Sequence, residues 1–63
     1  MSNDKRIIIK YRIKDLERQK SSHTSAKSRA KTRGDKQRMK FEQTCIDDCD
    51  DRIQKAQEEL QGL

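Results

Sequence analysis

The chain predicts an all-α fold: an antiparallel helical hairpin, paired with a second copy as a homodimer in a four-helix arrangement. Three observations point there. A heptad runs from Met39 to Leu63, a Gly34-Asp35 step punctuates an otherwise Pro-free sequence, and the charge divides unequally between the two sides of that step. A chain of 63 residues with 29% hydrophobic and 43% charged side chains forms one domain, residues 1–63, and has little apolar surface to bury. Self-association is the expected remedy.

The second helix, about 36–61, carries the clearest pattern. Steps of three and four give Met39, Glu42, Ile46, Cys49, Ile53, Ala56, Leu60 and Leu63, and seven of these eight are apolar or thiol. Such spacing places them on one face of a helix, and that face needs another helix to cover it.

The first helix spans about 4–33. Asn3 or Asp4 supplies a cap, and Ile9, Ile13 and Leu16 then share one face. Ile8 flanks that face, while Ile7 and Tyr11 fall nearly opposite it. Residues 6–14 also read as a strand, since Ile7, Ile9, Tyr11 and Ile13 alternate with Ile8, Lys10, Arg12 and Lys14. The helix former run from Lys14 to Lys20 favours helix and supplies no hairpin partner for a strand. Ser21-Ser22-His23-Thr24-Ser25 is the weakest helical stretch, because short hydroxyl side chains compete for backbone hydrogen bonds, so a break near 21–25 is a second place to bend.

A bend near 34–35 is preferred, with Gly suited to the position past a helix end and Asp to the cap of the next helix. It lets positions pair when their numbers sum to about 69, setting Ile9 against Leu60, Ile13 against Ala56, Leu16 against Ile53 and Ala30 against Met39. A bend at 21–25 would leave helix one only 26–42 to pack on. The hairpin or self-association core is therefore expected at Ile9, Ile13, Leu16, Met39, Ile46, Cys49, Ile53, Ala56 and Leu60. In this register Lys20 faces Cys49 and His23 faces Ile46, a thin polar middle from Glu42 to Cys49. A second copy is expected to seal it and to cover Ile7, Ile8 and Tyr11.

Residues 1–40 hold 14 Lys or Arg against four acids, whereas residues 41–63 hold two against seven. The two sides attract, which favours folding back over one extended rod. There is no run of about 18 apolar residues to span a membrane, and Ile7-Ile8-Ile9 is too short for a secretory core. A cytoplasmic location with reduced thiols is expected.

Few residues suit chemistry. Cys45, Cys49 and possible neighbour His23 are a poor zinc set, because the cysteine spacing is wider than structural pairs use and a fourth ligand is missing. The run from Asp47 to Asp51 has neither the Gly nor the terminal Glu of a calcium loop and reads as a solvated face that neutralises cations of helix one. One His and too little mass for a pocket argue against an enzyme, and no cofactor or small-molecule substrate is expected. A cross-chain disulfide at Cys49 is conceivable on oxidation.

The basic segment is the functional candidate. Lys27, Arg29, Lys31, Arg33, Lys36, Arg38 and Lys40 surround the bend and would attract phosphates of DNA or RNA. The alternative is a solubilising tip. Base stacking is not expected, as Tyr11 and Phe41 lie outside the segment. A zipper layout, basic 27–40 followed by the heptads, is countered by Gly34-Asp35 inside the basic helix and by Glu42, Cys49 and Ala56 at the positions that leucines would fill. A ribbon-helix-helix layout lacks the apolar positions of its first helix.

In length, charge and two-helix layout, with KDLERQK (14–20) and DDRIQKAQEEL (50–60) flanking a basic centre, the chain resembles the small early-region proteins of lambdoid phages, those of the exo-xis region. The resemblance implies a non-enzymatic, helical, dimeric regulatory protein in the host cytoplasm. It would modulate host or phage development through contacts with an unknown protein partner. It assigns no site residue.

Overall fold

Helix formation begins two residues ahead of the expected boundary. The computed structural model describes residues 2–63, and α1 runs over Ser2–Arg33, with Asp4 in its first turn and Lys31 and Arg33 in its last. These charges oppose the partial charges of the helix ends, positive at the start and negative at the finish, and so favour the helix. The side chain of Asn3, one of the two expected caps, lies outside those described.

No strand occurs among the described residues, so the alternation at 6–14 is overridden. Without a partner strand the backbone bonds of such a segment would go unmet, whereas a helix satisfies them locally. It also turns Ile9 and Leu16 onto one buried face.

The Ser/Thr cluster does not break α1. Thr24 Oγ1 donates to the Lys20 carbonyl at 2.8 Å, and Thr32 Oγ1 donates to the Ser28 carbonyl at 3.1 Å. Directed back along the helix, these hydroxyls share an acceptor with the ladder instead of replacing it.

The chain reverses at Gly34. Its φ of +74° lies in the left-handed region, and the amides beyond the helix turn back to close its end. Gly34 N–H reaches the Lys31 carbonyl at 3.1 Å and Asp35 N–H reaches that of Ala30 at 2.9 Å, the paired bonds of a Schellman ending. Asp35 then starts the next helix by accepting Arg38 N–H on Oδ1 at 3.0 Å. One residue pair thus ends one helix and begins the other.

The second helix, α2, covers Lys36–Gln61 and closes with Gly62 N–H on the Glu58 carbonyl at 3.1 Å. The two helices lie side by side as an antiparallel hairpin of 49 × 14 × 10 Å between Cα extremes. Its radius of gyration, 14.6 Å, exceeds the roughly 11 Å of a compact chain of this length. A two-helix rod has only its seam to bury.

That seam holds every expected core residue. Ile9, Leu16, Ile46, Cys49 and Ala56 are buried, and Ile13, Met39, Ile53 and Leu60 are half-buried. On α1 the stripe extends beyond Leu16 through Lys20, His23 and Lys27 to Ala30, keeping the alternating steps of four and three. Charged and polar side chains occupy stripe positions there, which is why an apolar pattern stops at Leu16. Their stems still cover the seam.

Within the single chain, the middle of the hairpin is lined by polar groups that pair with one another across the seam. Glu42 is only 1% exposed, and its carboxylate is met by His23 Nδ1 at 2.9 Å and by Arg38 Nη2 at 3.3 Å. Lys27 donates to Gln43 Oε1 nearby, and Lys20 pairs with Asp50 at 2.6 Å. Polar groups that pair within the chain can line a seam at modest cost; unpaired they could not. Exposed apolar side chains lie away from this middle, clustered on α1, where Ile7, Ile8 and Tyr11 are 51%, 58% and 68% exposed, and singly at Phe41 and Leu63.

Candidate functional site

The reversal at Gly34 gathers cations from the end of α1 and the start of α2 at one tip. Lys27, Arg29, Lys31 and Arg33 arrive on α1; Lys36, Arg38 and Lys40 leave on α2. All but the half-buried Lys27 are exposed.

They are not equivalent. Lys27 is engaged by Gln43, and Arg38 by Glu42. Arg29, Lys31, Arg33, Lys36 and Lys40 make no side-chain hydrogen bond or ion pair among the described residues. Those five are available to an external anion.

The charges on α2 also run against its helix dipole. Its first turn contains Lys36 and Arg38 with no acid, and its last turn contains no base. A cation at the positive end of a helix costs about 0.3–1 kcal/mol, offset in part here by the Asp35 carboxylate that caps α2. On α1 the end charges have the favourable arrangement. The unfavourable placement is confined to the helix that opens at the tip.

Phe41 adds an apolar surface to this tip. It is 55% exposed, and the Arg38 guanidinium lies over its ring with Cζ at 5.2 Å from the centroid. Arg38 is held in turn by Glu42, and Glu42 by His23 across the seam. The sequence places Phe41 just past the last cation and so outside the basic segment. Helical spacing instead brings it beside Arg38, three residues earlier, where i and i+3 side chains meet.

Along the rest of the hairpin, charge couples the two helices. Arg12 pairs with Glu59 at 3.6 Å and Lys20 with Asp50. The Asp50 carboxylate raises the Lys20 pKa above its ordinary value, first through the hydrogen bond and then through charge. Asp48 pairs with Arg52 at 3.1 Å and Asp47 accepts Gln43 Nε2 at 2.8 Å. The acidic run thus faces solvent and offsets nearby cations.

Cys45 is half-buried and Cys49 buried, both as free thiols. Burial pushes the Cys49 thiol pKa up, with Asp48 adding to the effect. Cys49 lies in the seam where the heptad places it, so a cross-chain disulfide there would require the seam to open. His23 is bonded to Glu42, and no three of His, Cys, Asp and Glu among the described residues converge to hold a metal ion. No helix among the described residues is long and apolar enough to cross a membrane.

Compared with protein-family models, curated proteins and solved structures, the chain matches none.

Proposed function

We propose that the protein is a small, non-enzymatic regulatory module that self-associates and acts through protein contacts. One observation carries this reading: Ile7, Ile8 and Tyr11 form an exposed apolar arc on the first turns of α1. On a helix these three positions lie within about 100° of one another, wide enough for a packing face. The contact between copies is assigned to this end because exposed apolar side chains cluster there. Charge supports a second copy as occupant. Lys5, Arg6, Lys10 and Lys14 surround the arc, while the adjoining end of α2 carries Glu58, which makes no ion pair among the described residues, and Glu59, already paired with Arg12 of the same chain. A two-fold pairing lets each copy offer acids to the other's cations. The resemblance to early-region proteins of lambdoid phages supports a regulatory role in the host cytoplasm.

Sedimentation equilibrium at micromolar concentration tests self-association. A dimer is expected for the wild type and a folded monomer for Ile8→Asp/Tyr11→Asp. A wild-type chain that is helical and monomeric throughout rejects the reading.

A second reading, compatible with the first, is nucleic-acid binding at the tip. It is favoured by cations that lack partners and oppose the dipole of α2. Binding to a labelled oligonucleotide should weaken steeply with added salt, with a slope that falls when Lys36 or Lys40 is replaced by Gln. No salt-sensitive binding at low ionic strength would exclude it.

A further inference from the structure

We infer that the tip is a single-strand nucleic-acid site in which Phe41, held beneath the Arg38 guanidinium, stacks on a base while neighbouring cations take the phosphates. This rests on the nucleic-acid reading of the tip and adds to it the class of ligand and the residue that selects it.

Three features combine. The first is exposure: Phe41 stands more than half exposed on the outer face of α2. The second is preparation. His23 fixes the buried Glu42 carboxylate, Glu42 holds Arg38, and Arg38 lies over the ring. The platform is therefore tied to the hairpin core, and little side-chain freedom remains to be lost when a base arrives. The third is position, because Lys36 and Lys40 lie within five residues of Phe41 on the same helix and make no ion pair among the described residues.

Guanidinium planes and aromatic rings are the surfaces on which unpaired bases stack, and stacking of this kind tolerates any base sequence. In a duplex those faces are occupied by neighbouring base pairs. Duplex DNA could use the cations but not Phe41. An anionic membrane could also use the cations, but the apolar part of the tip is one side chain, too little for the apolar face by which surface helices enter a bilayer.

Fluorescence anisotropy of the full chain with a labelled oligothymidine of about 12 nucleotides separates these possibilities. Wild type should bind with log affinity falling by about 0.7 per neutralised phosphate against log salt. Phe41→Ala and Phe41→Leu should each weaken binding about 5- to 150-fold at unchanged salt slope, and Phe41→Trp should retain it. The chain contains no Trp, so the new indole also reports directly: its emission should be quenched on binding.

Lys36→Gln/Lys40→Gln should instead lower the slope. Binding by wild type that Phe41→Leu leaves unchanged would overturn the stacking site while sparing the nucleic-acid reading. Absence of binding by the wild type would overturn both. Tighter binding to a duplex of the same sequence, or to phosphatidylserine vesicles, than to the single strand would likewise overturn the inference. Circular dichroism of each variant confirms that the exposed substitutions leave the helices intact.

Discussion

The Glu42 carboxylate on α2 meets His23 Nδ1 on α1 at 2.9 Å, with Glu42 almost wholly removed from water. This contact joins the helices where the seam has fewest apolar side chains. It also orients Arg38 and, through it, Phe41.

Removing one partner should cost more than removing both. His23→Ala leaves Glu42 buried with Arg38 alone and should destabilise the hairpin by about 1–3 kcal/mol. The double variant His23→Leu/Glu42→Leu replaces a buried polar pair by apolar packing and should be at least as stable as wild type. Urea unfolding followed by circular dichroism, arranged as a double-mutant cycle, measures the coupling.

Gly34 occupies the left-handed region, and a Cβ there would meet nothing within 4 Å. Its replacement is therefore a conformational matter and not one of space. Gly34→Ala should destabilise by about 1–2 kcal/mol and Gly34→Asn by less, since Asn tolerates that backbone better. Thermal melts of the two variants check the order.

Lys36 opposes the dipole at the start of α2. Lys36→Glu should raise stability by up to about 1 kcal/mol at low salt, and the gain should shrink as salt is added. The same variant should bind oligonucleotides less well. Stability and binding moving in opposite directions would identify this position as one kept for a partner.

Alkaline pH should loosen the hairpin. The folded-state pKa of Cys49 is raised by burial above the ordinary thiol value of 9.0, and that of Lys20 is raised by Asp50 above the ordinary 10.5. In both cases the folded state holds its proton longer than the unfolded chain does. Their contributions are fully present below those ordinary values and are lost as pH rises through the folded-state values. Cys49→Ala should flatten the first part of the decline, between about 9 and 10.5, in urea midpoints measured along a pH series. Neutral-pH alkylation should label half-buried Cys45 before buried Cys49.

Hairpin and turn were legible in the chain alone because their causes are local. The heptad from Met39 places Ile46, Cys49, Ile53 and Ala56 on one face whatever lies opposite, and Gly34-Asp35 has the two residue types that a helix ending and a helix start require. Ile9, Ile13 and Leu16 repeat the pattern early in α1 and indicate what covers it.

The middle was decided only by tertiary structure. The register sets Lys20, His23 and Glu42 along the seam, but the partners they meet are fixed only when the helices pack: Asp50 for Lys20, His23 and Glu42 for each other, and Gln43 for Lys27. Apolar periodicity records burial that stabilises by exclusion of water, a property of each side chain by itself. Burial of a charge depends instead on a partner within hydrogen-bond reach. For Glu42 that partner comes from a residue nineteen positions away in the chain. The tip follows the same rule. Its cations are evident in the sequence, but the placement of Arg38 over Phe41, with Glu42 beneath, is a consequence of the folded seam.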